Sequence, residues 1–436
     1  MPRKKTAHAK RLAHLSSLIQ SGELAKAEEA CAQARREHPH DPGVLSAAAR
    51  LYWLRGDRDQ AVQAGEEAIR ASRHKNPDLI ANHARTLYDM RRFGESLSWV
   101  ESGLQRHNGH PRLLELHAAL LVKRSRRTEA REILDRLIAQ EPTPGRLDLL
   151  GQILFDMGEP VEGLNRMAEA HRQDPANITL HNNYIFYSHY MPELDARALQ
   201  ARLVEWYQHR IAHLPVTERF DRNRDPERPL RIGFISNGFR MHPAGTLSLG
   251  PIMMLSRYFQ HEIYLYSTSP ESSADEITRS FKNEADNWQV VHGLSDRALH
   301  EKLLGNELDI LIEMTGPTGN SALLAVARRA APVQIKWVGG LFNTSVVPAI
   351  DYLLTDWMEN PEGSEKTFME KLIRLPSGYV TYRPPSYLPR VNSLPALENG
   401  YVTFGCLNKT HKINPVIAGV WAGILREVPN SRILLT

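Results

Sequence analysis

Cysteine is nearly absent: Cys31 and Cys406 are the only two in 436 residues, and they stand in no metal-ligand spacing. A disulfide framework therefore finds no support, and a reducing compartment, the cytoplasm, is the expectation. No run approaches the roughly 18 apolar residues that a membrane-spanning helix needs. The N-terminus also lacks the apolar core of a signal peptide. Neither sign of charge dominates, since 54 Lys and Arg against 50 Asp and Glu leave a net charge of +4. The basic run PRKK at 2–5 has no aromatic residue interleaved, so it reads as a solvated terminus, not a nucleic-acid tail. No Gly-x-Gly-x-x-Gly follows a strand-like segment, which argues against a dinucleotide dehydrogenase. What remains is an ordinary globular composition, 42% hydrophobic and 24% charged, long enough for two or three domains.

The first half repeats itself. Turn positions fall at Gly22, Gly56, Arg91, Ser125 and Gly158, spaced by 34, 35, 34 and 33 residues. Five positions after each stands a small residue: Ala27, Ala61, Ser96, Ala130 and Gly163. Two antiparallel helices approach closely only where side chains are short, while Tyr52, Leu87, Leu121 and Leu154 fill the space between turns. This is the period of tetratricopeptide helix pairs. Pro39, Pro77, Pro111, Pro142 and Pro175 are expected to stop the second helix of each pair. A helix pair cannot bury its apolar face alone, so the array must be capped, and 176–214 reads as further helices that do so. The array offers a groove for a protein or peptide, with a rigid spacer or a dimerisation arm as the alternative. His83 and His117 lie in first helices of repeats without a ligand partner at sensible spacing, so they read as packed or surface histidines and no metal site is expected.

After a polar linker the pattern changes at LRIGFISNGFRMHP (230–243), an apolar run that breaks on Ser236-Asn237-Gly238. Strand-like runs recur at 262–267, 309–314, 333–338, 351–355 and 371–375, with helical stretches between several of them. Such alternation indicates a doubly wound, mostly parallel α/β sheet. Its ligands gather beyond the carboxyl ends of the strands. The loops there contribute Asn237, Gly238 and His242; Thr315, Gly316, Thr318 and Gly319; and Gly339, Gly340, Asn343 and Thr344. Glycines, hydroxyls and amides suit a polar ligand such as a sugar or nucleotide. Each also has a plainer reading: His242 before a proline ends a turn, Gly316 and Gly319 are turn glycines, and Asp351 and Asp356 are caps.

A Pro-rich crossing (382–390) leads to a second start, YVTFGCLN (401–408). The loop that follows carries Lys409, His411 and Lys412 to a helix opened by Asn414 and Pro415. Unpaired N–H groups and the positive dipole end there favour a phosphate; a merely solvated basic loop is the alternative. One strand-helix-strand unit is too small to bury both faces, so the sequence is expected to end inside a domain.

The ordered set RIGFISNGFRMHP, APVQIKWVGG, IDYLLTD, LPSGYVTYRPP, VTFGCLNKTHKINP and VPNSRILLT, behind such repeats, resembles the protein O-GlcNAc transferases. That resemblance implies a multidomain chain. The expected parts are a tetratricopeptide solenoid (1–175), capping helices and a linker (176–228), a Rossmann-like α/β lobe of a GT-B glycosyltransferase (229–400), and the start of the nucleotide-binding lobe (401–436). It implies inverting, metal-independent transfer of N-acetylglucosamine from UDP-GlcNAc to serine or threonine hydroxyls, with no cofactor beyond the donor. His242 matches the motif histidine, a base or organiser of the site, and Lys412 the lysine that meets the leaving diphosphate. Asn237, Gly238, Gly316, Thr318, Asn343, Thr344, Lys409 and His411 are the candidate donor or substrate contacts. His411 stands where animal enzymes have tyrosine, and Lys409 where an amide is usual. Gly316-Pro317-Thr318 replaces the Gly-His-Thr of many bacterial members. Of the asparagines that grip peptide in animal enzymes only Asn82 has a counterpart. A catalytically empty repeat scaffold and a peptide N-glycosyltransferase of the same fold are the other readings.

Overall fold

The computed structural model describes residues 2–20, 24–221, 223, 225, 227–319, 321–339, 343–382, 384 and 388–435, without the side chains of 2–9, 20 and 272. Gly22 and Gly340 lie outside the described residues. The helical half runs α1 (Pro2–Gln20), α2 (Leu24–Glu37), α3 (Pro42–Arg55), α4 (Arg58–Ala71), α5 (Pro77–Asp89), α6 (Phe93–Arg106), α7 (Pro111–Lys123), α8 (Arg127–Gln140), α9 (Pro144–Asp156), α10 (Pro160–Gln173), α11 (Ile178–Ser188) and α12 (Ala196–Arg210). Gly56, Arg91, Ser125 and Gly158 all adopt left-handed backbone, with φ of +88°, +63°, +60° and +83°. That conformation reverses the chain between the helices of a pair. Ala27, Ala61, Ser96 and Ala130 are wholly buried, and Gly163 is buried with them. The repeat reading therefore holds down to single positions.

Pro39, Pro142 and Pro175 lie two residues past the ends of α2, α8 and α10, as expected, but the other two prolines act differently. Pro77 and Pro111 open α5 and α7 instead of closing the helices before them. The first helical position has no intrahelical N–H bond to lose, and proline's fixed φ suits it.

The chain forms two compact units. One comprises residues up to Ile153 with the short segments Pro270–Ser272 and Gly293–Ser295; the other comprises the rest. In the second unit the strands are β1 (Arg231–Ser236), β2 (Glu262–Ser267), β3 (Asn287–Val290), β4 (Ile310–Glu313), β5 (Val333–Lys336), β6 (Tyr352–Asp356) and β7 (Lys371–Leu375). Between them lie α13 (Pro243–Tyr258), α14 (Glu276–Glu284), α15 (Asp296–Gly305) and the single turn α16 (Leu323–Val326). The seven strands are ordered β3-β2-β1-β4-β5-β6-β7, and every pairing is parallel. Strand order reverses between β1 and β4, the crevice where open α/β sheets take ligands. β3 was missed from the sequence because four half-exposed residues, NWQV, make no apolar run.

Helices α11 and α12 pack into the α/β lobe. Ile185, Leu203 and Trp206 share one buried core with Ile235, Leu311 and Ala327 of the α/β lobe. After α17 (Pro395–Asn399), β8 (Thr403–Cys406) pairs in parallel with β9 (Arg432–Leu435), joined by α18 (Pro415–Glu427). Asn414 caps α18, its side chain accepting the Ile417 N–H at 3.0 Å. No helix among the described residues is long and apolar enough to cross a membrane.

Candidate functional site

The site is built where β1 ends. His242 is the N-cap of α13, extended at φ −149° and ψ 147°, and its Nδ1 accepts the Ala244 N–H at 3.2 Å. An accepting Nδ1 carries no proton, so in the neutral ring the proton sits on Nε2. Burial, reinforced by the Arg240 guanidinium, holds the His242 pKa below its ordinary value. The ring is thus a neutral imidazole with its proton on Nε2, at the positive end of a 16-residue helix.

Three bonds hold this loop in place. The Asp275 carboxylate accepts the Met241 N–H at 2.6 Å, the Thr278 hydroxyl donates to the Phe239 carbonyl at 2.8 Å, and the Ser269 hydroxyl donates to the Asn237 carbonyl at 2.7 Å. Gly245 lets α13 close onto the loop, because a Cβ there would stand 2.3 Å from the Gly238 carbonyl oxygen. Pro251 inside α13 leaves the Leu247 carbonyl without its usual helical donor, and the Thr381 N–H supplies one at 3.4 Å.

Across the switch point, Asn237 donates from Nδ2 to the Gly319 carbonyl at 2.8 Å, so the loops after β1 and β4 are joined. Gly238 and Gly316 spend their amides inside their own loops: Gly238 donates to the Ser236 hydroxyl at 2.9 Å, and Gly316 to the Glu313 carboxylate at 2.9 Å. Thr318 donates its hydroxyl to the Thr315 carbonyl at 2.9 Å. The loop after β5 is directed elsewhere. Asn343 Nδ2 lies 3.0 Å from His189 Nε2, and the buried Thr344 donates to Glu370 at 2.8 Å. Asp356 is a cap, accepting from Met358, Glu359 and Tyr379 amides. Asp351 is paired with Arg329.

Beneath these loops sits a buried charge pair that the sequence reading passed over. Glu313 ends β4 and Lys336 ends β5, in register with each other and both buried. Burial raises the Glu313 pKa and lowers that of Lys336. Lys336 Nζ donates to the Asn343 carbonyl, so the pair fixes the loops above both strands. The signal was present as one ionisable residue inside each apolar run, ILIE and VQIK.

In the second lobe Lys409, His411 and Lys412 lie at a 3-10 turn before α18. Lys412 Nζ donates to Asn408 at 3.3 Å. The His411 side chain is only 7% exposed; its Nδ1 lies 3.2 Å from the Asp156 carboxylate at the end of α9, and its ring stands edge-on to Tyr190 at 4.9 Å. His411 thereby ties the second lobe to the helices, a role its sequence position did not suggest. In the repeats, Asn82 donates to Ser46 at 3.2 Å and accepts from Arg112 at 2.6 Å.

A helical array followed by a parallel doubly wound lobe and the strands of another defines a GT-B type architecture. Residues 204–391 match the profile of Glycosyl transferase family 41, and residues 18–64 that of the tetratricopeptide repeat. In its repeats and its α/β lobe alike, the chain is similar to the tetratricopeptide-bearing O-GlcNAc transferases. A probable UDP-N-acetylglucosamine–peptide N-acetylglucosaminyltransferase SPINDLY of Solanum lycopersicum is 32% identical over 266 residues, 60% of this chain and 28% of the relative. Its Arabidopsis thaliana counterpart is 33% identical over 267 residues, 60% of this chain and 29% of the relative. The chain thus spans under a third of the length of these relatives. A mutant of the Thermobaculum terrenum O-GlcNAc transferase is similar in structure, with a TM-score of 0.74 at 28% identity over 82% of this chain and 68% of that one.

Proposed function

We propose that this chain serves metal-independent transfer of N-acetylglucosamine from UDP-GlcNAc to serine or threonine hydroxyls of proteins, with the repeats presenting the acceptor in their groove. One observation carries the reading: the stretch that matches family 41 holds His242 as a neutral Nε2 donor at a helix N-terminus, at the mouth of the switch-point crevice.

Each part follows from charge. Displacing a nucleoside diphosphate builds negative charge on the leaving group, which cations and N–H donors offset. Lys412 and the N-terminus of α18 supply these in the second lobe. His242 fits the part of an organiser better than that of a base. To accept a proton at Nε2 it would have to carry one on Nδ1 and release the Ala244 amide. An Nε2–H instead orients an acceptor or donor oxygen without any rearrangement.

The test is calorimetric titration with UDP, followed by transfer of labelled sugar from UDP-GlcNAc to serine or threonine peptides. Binding is expected to be weakened about tenfold or more in Lys412→Ala, as for loss of a charge-assisted contact. His242→Ala should lower transfer while leaving UDP affinity nearly unchanged. Absence of both UDP binding and transfer sinks the proposal.

A further inference from the structure

Outside this site, the three helices that lead into the α/β lobe bring together His171 of α10, His181 of α11 and Glu205 of α12. One ligand atom from each lies within 4.8 Å of the others. We propose that these three side chains bind a divalent transition-metal ion of the zinc class, which fastens α10, α11 and α12 to one another.

The first support is unmet hydrogen bonding. His181 is 1% exposed and His171 8%, and neither nitrogen of His181 nor Nδ1 of His171 has a hydrogen-bond partner. Buried polar atoms are normally paired, and those that are not need a reason. A metal ion supplies one, because a neutral imidazole nitrogen offers its lone pair to a metal as readily as to a proton.

The second support is arrangement. The two rings are stacked at 3.9 Å, side by side, while the Glu205 carboxylate stands 4.0 Å from His171 Nε2. Ligands about 2.0–2.1 Å from a tetrahedral zinc are about 3.3 Å apart. Closing the triangle asks for roughly an ångström of movement, which the exposed Glu205 side chain can make. His209, one turn after Glu205, places Nδ1 3.0 Å from the Glu205 carbonyl. Donation to that carbonyl leaves Nε2 as an acceptor, but His209 stands outside the 4.8 Å cluster, its ring 6.4 Å from that of His181, so the three side chains are the proposed ligands.

Two imidazoles and one carboxylate suit zinc, cobalt, nickel or copper better than magnesium or calcium. Arg210 is the opposing group: its charge acts on both histidines. Its guanidinium is turned to the carbonyls of Pro175 and Ala176, which hold it.

The experiment uses the full chain stripped with a chelator, titrated with Zn2+ alone by calorimetry and with Co2+ alone by visible absorption. One equivalent of Zn2+ should bind, and Co2+ should give the absorption of a low-symmetry nitrogen and oxygen site. In Glu205→Gln, a surface change that leaves the core intact, the Zn2+ dissociation constant should rise about tenfold or more. His171→Asn, checked for native circular dichroism, should abolish the cobalt spectrum. No uptake of either ion by the stripped chain, or uptake unchanged in Glu205→Gln, overturns the proposal.

Discussion

Two glycines of one helix should respond in opposite ways to the same methyl group. At Gly245, in the first turn of α13, an added Cβ would lie 2.3 Å from the Gly238 carbonyl oxygen and 2.4 Å from that of Arg240. Both obstacles are backbone, and ordinary contact asks for roughly an ångström more. The helix must therefore back away from the loop, or the loop from the helix. Overpacking of this kind costs about 1–3 kcal/mol. It also stretches the 3.2 Å bond between the Ala244 amide and His242 Nδ1, which fixes the ring. A displacement near 1 Å at a reacting group can cost about a hundredfold in rate. At Gly250, about a turn and a half on, the added Cβ would meet only the Thr381 hydroxyl, at 3.1 Å. That side chain can rotate, and the gain of up to about 1 kcal/mol for replacing an interior helical glycine by alanine is offset in part by Pro251, which disfavours helical backbone at a preceding residue that has a Cβ. Gly245→Ala should therefore lower the urea midpoint of the α/β lobe and cut transfer activity, and Gly250→Ala should leave both unchanged or raise the midpoint slightly. Tryptophan fluorescence across a urea series reads the first effect and sugar transfer the second. Equal shifts in the two variants would show that close approach at the β1 loop is not what Gly245 provides.

Acid should weaken the repeat unit through His83. This side chain is 3% exposed, edge-on to Trp99 at 5.0 Å, and burial holds its pKa at about 4. The unfolded chain takes up the proton below about pH 6.5, so the stability tied to the neutral ring is complete above that pH and is lost as pH falls toward 4. The window corresponds to about 3 kcal/mol; His83→Leu should flatten the pH dependence of unfolding between pH 6.5 and 4, and an unchanged slope would refute the assignment. Lys336→Ala should cost about 3–5 kcal/mol, because it strands the buried Glu313 and Glu370 carboxylates. Chemical denaturation measures the loss, and Lys336→Ala with Glu313→Gln should recover part of it; no recovery would mean that the two groups do not share their burial cost.

Features that depend on spacing were legible in the chain, and those that depend on what a side chain meets were not. The turn slots show this most plainly. Arg91 and Ser125 are not residues that favour left-handed backbone by type, yet the period set by Gly56 and Gly158 placed them at the reversal, and their φ angles agree with the glycines. The parallel pairing of the strands likewise follows from alternation of apolar runs and helices, because parallel strands need crossovers, whereas their order does not. The candidate site was legible only as a set of loops. Position along the chain put Thr344 beside Asn343 on the ligand edge, but Thr344 turns inward to Glu370, whose carboxylate also accepts the Ser345 amide at 2.6 Å. Glu370 lies 26 residues away in sequence, and no local pattern announces the pairing. His411 makes the same point across a greater distance. Its neighbours in sequence, two lysines before a helix N-terminus, argue for an anion. Its neighbours in space are Asp156 and two tyrosines of the helical array, Tyr187 and Tyr190. A carboxylate 3.2 Å away repels a phosphate, so what surrounds His411 in space argues against the anion contact that its sequence position suggested.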